Sequence, residues 1–145
     1  MILYLDTSAL TKKYIEEAYS ADVVALLEQS DLVGASLLAR VELPAAVAKA
    51  VRMHWLSAAD GERALKAFRA EWPSLLAVQV TESLVIRADN LAWEHGLRAY
   101  DAVHLSAALI WQEALGEPVT VATFDKQLWQ AANAVGLATW PPSLE

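Results

Sequence analysis

The stretch "ILYLDTSAL", residues 2–10, decides the fold of this 145-residue chain, because it joins a short apolar run to a helical pattern. Residues 2–5 are apolar and suited to a β-strand, and Asp6 and Thr7 then open a helical pattern that extends to about Glu17. The pattern therefore predicts a strand followed directly by a helix, with an acidic side chain at the junction.

The same alternation of strand and helix patterns continues along the chain. Further strands are predicted over residues 32–36, 75–80 and 119–123, with a short edge strand over 137–140. Apolar strands that alternate with helices are typical of a parallel sheet covered on both faces. The sequence therefore predicts one α/β domain over residues 1–145, a three-layer α/β/α arrangement with four to five parallel strands.

Polar residues mark where the helices begin. Ser20, Ser57 and Thr81 each stand before a helical pattern and are predicted as N-caps. Pro44 lies inside the helical pattern from Leu37 to about His54, and proline lacks the amide hydrogen that the helix needs. We therefore expect a kink or a break at Pro44.

Composition narrows the classes of function. Hydrophobic residues make up 56% of the chain, and its net charge is −7. The negative net charge argues against a broad basic surface that would bind nucleic acid. The chain has no cysteine, so thiolate metal sites and disulfides are excluded. Charged residues interrupt every apolar stretch before the ~20 residues that a membrane span needs, and the N-terminus lacks the basic region of a signal peptide. We expect a cytoplasmic protein without membrane association.

Four acidic residues occupy positions that a parallel sheet would bring together. Asp6 and Asp125 follow the first and fourth strands, and ligands bind outside the carboxyl ends of such strands. Asp101 lies in the apolar helix start "RAYDAVHLSAAL", residues 98–109, and Glu42 lies in "ARVELPAAV", residues 39–47. Burying an ionised carboxylate is costly unless a cation or several donors compensate it. The four side chains are therefore predicted to share one site.

Each of these acids also has a local interpretation, and the sequence leaves these alternatives open. Asp6 and Asp125 could cap helices, and Glu42 could pair with Arg40 or a neighbouring basic side chain. Asp101 could pair with His104, or could favour the helix N-terminus through the helix dipole.

A divalent cation would make a cluster of carboxylates tolerable. Like charges within a few ångströms repel and raise one another's pKa. Mg²⁺ and Mn²⁺ prefer oxygen ligands, and an all-carboxylate site suits phosphodiester chemistry better than zinc chemistry. The predicted cofactor is one or two Mg²⁺ or Mn²⁺ ions.

Four segments of the chain resemble the PIN-domain ribonucleases, and among them the VapC toxins of toxin–antitoxin pairs. The matching segments are "LYLDTSALTKKYIEE", "ARVELPAAV", "LRAYDAVHLSAAL" and "VATFDKQLWQAANAVGL". The resemblance implies that the protein is a metal-dependent endoribonuclease. It further implies that the metal-binding and catalytic residues are the same four acids, Asp6, Glu42, Asp101 and Asp125. It implies Thr7, Ser8 and Thr123 as supporting hydroxyls. It also implies an RNA substrate, a VapB-type antitoxin as partner, and a homodimer.

Basic and aromatic residues give further candidates. Arg98, which precedes the helix of Asp101, is a candidate contact for RNA phosphate, together with Lys12, Lys13 and Lys126. His104 is predicted to orient Asp101. The six tryptophans, mostly at helical spacing, are predicted to pack in the core or in a dimer contact rather than stack on bases.

Two other classes of function compete with the nuclease. A catalytically silent PIN-like module would bind RNA or protein while nearby Arg and Lys side chains neutralise the carboxylates permanently. A phosphoryl-transfer enzyme would use Asp6 as a nucleophile, but haloacid-dehalogenase-like enzymes need an acid where this chain has Ser8. A receiver domain would need an aspartate after the third strand, where Thr81 stands.

Overall fold

The computed structural model describes residues 1–145 and contains a five-stranded parallel sheet between two layers of helices. The strands are β1 (Ile2–Leu5), β2 (Leu32–Ser36), β3 (Leu76–Val78), β4 (Val119–Ala122) and β5 (Ala138–Trp140). The helices are α1 (Thr7–Tyr14), α2 (Ser20–Glu28), α3 (Ala39–Arg52), α4 (Ala58–Glu71), α5 (Glu82–His95), α6 (Ala99–Leu115) and α7 (Lys126–Ala134). The predicted three-layer α/β class is confirmed.

Strand order β3-β2-β1-β4-β5 places the first strand at the centre of the sheet. From β1 the chain moves outward through β2 and β3, and then returns to the other side of β1 for β4 and β5. The order reverses between β1 and β4, and a crevice forms at their carboxyl ends, as at other such reversals in open parallel sheets.

The alternation of side chains along β1 divides the core in two. Leu3 and Leu5 point to the layer formed by α1 to α4, whereas Tyr4 points to the layer formed by α5, α6 and α7. All three side chains are fully buried. The sheet is therefore covered on both faces, as its apolar strands require.

Helix starts follow the predicted capping residues with one exception. The Ser57 hydroxyl accepts a hydrogen bond from the Asp60 amide, and the Thr81 hydroxyl accepts one from the Leu84 amide. Ser20 is instead the first residue of α2, and its hydroxyl donates to the Ile15 carbonyl. The prediction of an N-cap at Ser20 is wrong, because this hydroxyl closes the preceding turn instead.

Several element bounds differ from the sequence predictions, and of the kink or break predicted at Pro44 the break does not occur. Helix α3 runs through Pro44 without a break, and its buried residues Leu43 and Val47 pack in the core beneath it. Helix α1 ends at Tyr14 rather than near Glu17. Strand β3 covers only three of the predicted residues 75–80, which are the three that pair with β2.

The tryptophans divide between core and surface. Trp111 is buried, and Trp72 and Trp140 pack against the core at its margin. Trp55 and Trp93 are 68% and 92% exposed, so they do not pack in the core, and the predicted dimer contact is the alternative that stays open for them. No helix combines the length and the hydropathy needed to cross a membrane.

Candidate active site

Four acidic side chains line one cavity of about 100 Å³ at the carboxyl ends of β1 and β4. Asp6 follows β1 directly and Asp125 lies just beyond β4, while Glu42 and Asp101 come from the first turns of α3 and α6. The fold therefore brings together acids that are far apart in the sequence.

Asp6 is buried and held by a dense set of donors. Its Oδ1 accepts hydrogen bonds from the Ser8 hydroxyl at 2.7 Å and the Ala9 amide at 2.9 Å. Its Oδ2 accepts from the Thr123 hydroxyl at 2.5 Å. Burial raises the pKa of Asp6 above its ordinary value, although these donors oppose the shift. The carboxylate is thus fixed in position, but its charge is only partly compensated.

Arg98 is the compensating group for Asp101. Its Nε donates to Asp101 Oδ2 at 2.9 Å, and its Nη2 donates to Asp125 Oδ2 at 2.6 Å. Burial still raises the pKa of Asp101, and the negative charges of Asp125 and Asp6 add to the increase. The suggested pairing of Asp101 with His104 is wrong, because the imidazole reaches a different acid.

His104 instead connects Glu42 to the core. Its Nε2 lies 2.7 Å from Glu42 Oε1, and its Nδ1 lies 2.7 Å from the hydroxyl of the fully buried Tyr4. Burial acts to raise the pKa of Glu42, but the hydrogen bond and charge of His104, with the Thr7 hydroxyl at 2.8 Å, bring it below its ordinary value. The predicted role of His104 in orienting Asp101 is therefore wrong.

Two more local interpretations are settled by the contacts. Arg40 does not pair with Glu42, because its guanidinium lies over the ring of Phe68, 5.6 Å from the centroid. The capping interpretation of Asp6 and Asp125 is correct, since each accepts a hydrogen bond from the amide three residues further on. Both residues also line the cavity, so capping and membership of the site are not alternatives here.

The three predicted supporting hydroxyls lie at the site. Thr7 and Ser8 line the cavity, and Thr123 lies buried behind Asp6. The Ser8 hydroxyl also accepts from the Phe124 amide, and the Thr123 hydroxyl from the Asp125 amide. These bonds tie the loop after β4 to the end of β1, which fixes the positions of Asp6 and Asp125 relative to each other.

The four predicted basic contacts are placed very differently. Arg98 lines the acidic cavity, and Lys12 lines the adjoining groove, where it pairs with Glu17 and lies over the Phe124 ring. Lys13 pairs with Glu71 along a separate groove between α1 and α4. Lys126 is exposed at the start of α7 and does not line the cavity.

The donor chemistry of the cavity fits a hard divalent cation, although the side chains are not arranged as a ready metal site. No group of three Asp, Glu, His or Cys side chains is positioned to hold a metal ion. Arg98 binds one oxygen each of Asp101 and Asp125, which leaves Asp101 Oδ1 and Glu42 Oε2 without a hydrogen-bond donor. An all-oxygen donor set of this kind suits Mg²⁺ or Mn²⁺ once the guanidinium moves away.

Two aromatic residues at the site have no counterpart among the predicted site residues. Tyr4 lies within the apolar run of β1 and is buried. The sequence could have indicated its role only through the general rule that a buried phenol needs a hydrogen-bond partner. Burial and the charge of Asp6 raise the pKa of Tyr4 well above its ordinary value, so its hydroxyl stays protonated beside His104 Nδ1. Tyr100 forms the rim between the cavity and the adjoining groove.

Comparisons with known proteins agree with this fold and site. The family model described as "PIN domain" matches residues 3–134. Ribonuclease VapC45 of Mycobacterium tuberculosis (strain CDC 1551 / Oshkosh) is 36% identical over 148 aligned positions, which cover 99% of this chain and 98% of the relative. The chain is therefore an α/β protein of the PIN-domain class. Within that class it belongs to the VapC-type PIN family.

Solved structures share the fold at low sequence identity. A toxin–antitoxin complex from Klebsiella pneumoniae aligns with a TM-score of 0.66 at 15% identity, covering 100% of both chains. FitAcB from Neisseria gonorrhoeae aligns with a TM-score of 0.67 at 21% identity, covering 97% of this chain and 98% of that chain. At these identities the likeness concerns the fold alone.

Proposed function

We propose that this chain is a divalent-metal-dependent endoribonuclease and the toxin of a VapBC-type toxin–antitoxin pair. The observation that carries the proposal is the shared cavity of Asp6, Glu42, Asp101 and Asp125 at the reversal of the sheet order. The identity of 36% to a relative named Ribonuclease VapC45 supports RNA as the substrate.

The four carboxylates would hold one or two Mg²⁺ or Mn²⁺ ions. Such an ion lowers the pKa of a water molecule and stabilises negative charge on the phosphate that is attacked. The chain's own contribution is to fix the ligands. Ser8 and Thr123 hold Asp6 on both oxygens, and His104 with Thr7 holds Glu42 at one oxygen. Attack of water in line with the P–O3′ bond would break that bond and leave products with 5′-phosphate and 3′-hydroxyl ends.

Two partners belong to the proposal. The relative's name and the toxin–antitoxin complex among the structural neighbours support a VapB-type antitoxin, and the net charge of −7 suits a partner that offers basic side chains. A second copy of the chain is the other expected partner, and the exposed Trp55 and Trp93 are candidates for apolar contact between chains.

Cleavage of mixed RNA by purified protein tests the nuclease. Wild-type protein should cleave in Mg²⁺ or Mn²⁺ and stop when a chelator is added. The cleavage rates of Asp6→Asn and Asp101→Asn should fall by more than roughly 10–100-fold, which is the loss typical of substituting a residue that only supports a metal ligand. The matched control is Asp89→Asn, which alters an exposed acid on α5 and should cleave as the wild type does. Cleavage that persists in both cavity variants would identify a contaminant and end the proposal.

One observation favours the silent binding module as second candidate. Arg98 already neutralises part of the charge of Asp101 and Asp125 within the chain. If that pairing is permanent, Mn²⁺ neither binds the protein nor promotes cleavage of any RNA. Metal binding therefore separates the two functions.

A further inference from the structure

Arg98 occupies the position at which the carboxylates of the cavity would receive a cation. One guanidinium bridges Asp101 and Asp125, two acids that lie 24 residues apart and repel each other. An arginine guanidinium stays protonated in proteins, so the bridge carries a full positive charge. The bridge stabilises the site electrostatically without a metal ion.

The same bridge occupies Oδ2 of both acids, so that with Arg98 in place a divalent ion can reach Asp101 only through its Oδ1. The oxygens that Arg98 uses, Oδ2 of both acids, face each other across the guanidinium. Asp125 Oδ1 is already bound to the Leu128 amide, so Oδ2 is the oxygen that Asp125 has left to offer. Arg98 and a divalent ion therefore compete directly for Asp125 Oδ2, and the positive charge of Arg98 opposes a second cation at Asp101.

The position of Arg98 makes the exchange easy. Its side chain is 56% exposed, and no hydrogen bond joins its guanidinium to any group other than the two acids. The guanidinium also lies 5.0 Å from the centre of the Tyr100 ring, on the rim of the cavity. Released from the carboxylates, it can remain at that ring, at the entrance to the groove lined by Lys12 and Phe124.

We propose that Arg98 is an exchangeable counter-ion. It neutralises Asp101 and Asp125 in the metal-free chain, a divalent cation displaces it, and the released guanidinium then binds a phosphate of the RNA. This proposal rests on the proposed nuclease function. Under this proposal Arg98 opposes metal binding and assists substrate binding, whereas an ion pair with a purely structural role would do neither.

Mn²⁺ binding, measured by electron paramagnetic resonance, tests the first half of the exchange. Arg98→Gln should bind Mn²⁺ about tenfold more tightly than wild type, within the range of typical coupling free energies. Arg87→Gln is the matched control, because Arg87 forms a bidentate pair with Glu113 on the outer surface of α5 and α6. It removes the same charge away from the cavity and should leave Mn²⁺ affinity unchanged within about twofold, because salt screens distant charges.

The KM for RNA in saturating Mn²⁺ tests the second half. Arg98→Gln should raise the KM for RNA. It should also reduce the slope of log KM against log salt concentration by about one, which is the contribution of a single phosphate contact. Arg98→Lys keeps the charge without the planar fork, so its Mn²⁺ affinity should lie between those of wild type and Arg98→Gln. Circular dichroism establishes that each variant is folded.

The outcomes separate this proposal from the nuclease assignment. Equal or weaker Mn²⁺ binding by folded Arg98→Gln, beside a wild type that binds Mn²⁺ and cleaves RNA, overturns the exchange alone. Tighter binding with an unchanged KM overturns the phosphate role. Binding by Arg98→Gln but not by wild type supports the competition and contradicts the nuclease, since the pair would then be permanent. Failure of both proteins to bind Mn²⁺ overturns both proposals.

Discussion

Asp6 shows how one side chain serves the fold and the site together. Its Oδ1 caps α1 through the Ala9 amide, and its Oδ2 holds Thr123 behind the cavity. The local interpretation from the sequence, a helix cap, is thus correct but incomplete. The sequence could predict both roles, because a residue that ends a central strand and starts a helix also lies at the binding edge of the sheet. It could not predict the network of hydroxyls, which depends on the path of the loop after β4.

The raised pKa of Asp6 predicts that neutralising it stabilises the metal-free protein. At pH 7 the fold holds a buried charge that it disfavours, whereas asparagine keeps an oxygen for the Ala9 amide and is an equally good N-cap. In a chelator, Asp6→Asn should raise the free energy of unfolding and with it the melting temperature. Thermal unfolding beside Asp89→Asn checks this, and a lower melting temperature for Asp6→Asn would contradict it.

The same shift fixes the sign of the pH dependence. A carboxyl whose pKa is higher in the folded state binds its proton more tightly there, so stability increases as pH falls through that pKa towards the ordinary value of 3.8. In a chelator, wild type should gain stability relative to Asp6→Asn between neutral pH and about pH 4. Urea unfolding at several pH values measures the difference. A gap that widens in favour of Asp6→Asn on acidification would refute the sign.

Tyr4 and His104 form a connection from the core to Glu42, and its removal should reduce activity more than stability. Tyr4→Phe keeps the buried ring but removes the hydroxyl that bonds His104 Nδ1. RNA cleavage should fall about 10-fold, as for other groups behind a metal ligand, with a loss of about 1 kcal/mol in stability. Tyr14→Phe is the control, because its hydroxyl bonds Glu71 away from the cavity. Equal cleavage by the two variants would show that the connection has no effect on Glu42.

At the scale of elements, α6 carries the site and fixes it to the sheet. Asp101 and His104 lie on one side of the helix near its start, and Trp111 continues that side towards β2. The ring of Trp111 lies against Gly34, where an added Cβ would come within 2.7 Å of it. A glycine in β2 thus allows the helix to approach closely, and the position of the two site residues depends on that approach.

Gly34→Ala should therefore destabilise the protein by forcing Trp111 or the helix to move. The expected loss is about 1–3 kcal/mol, typical of overpacking in a closely packed core. Trp111→Phe shortens the ring and should reduce the effect of Gly34→Ala when the two are combined. Urea unfolding of the four proteins measures this coupling. Strictly additive losses would contradict the proposed contact.

Most elements could be predicted from local patterns, and the failures have physical causes. The bounds of β2 follow from its apolar run, and the start of α5 follows from the cap at Thr81. The break at Pro44 does not occur, because burial of Leu43 and Val47 maintains the helix around it. Packing against the sheet is a tertiary effect, and the sequence pattern alone does not contain it.

At the scale of the whole molecule, the strand order creates the site. The acids of β1 and β4 meet because these strands are neighbours at the reversal of the sheet order. The sequence could predict that Asp6, Glu42, Asp101 and Asp125 share an edge. It could not predict that Arg98 bridges two of them, because the conformation of a long, half-exposed side chain depends on the final positions of both acids.

Anomalous scattering from crystals grown with Mn²⁺ tests most directly whether this cavity is a metal centre. The account predicts a peak inside the cavity, about 2.0–2.2 Å from a carboxylate oxygen of Asp6 or Asp101, with Arg98 turned away from the acids. A cavity without a peak at saturating Mn²⁺, with Arg98 still bridging Asp101 and Asp125, would contradict it.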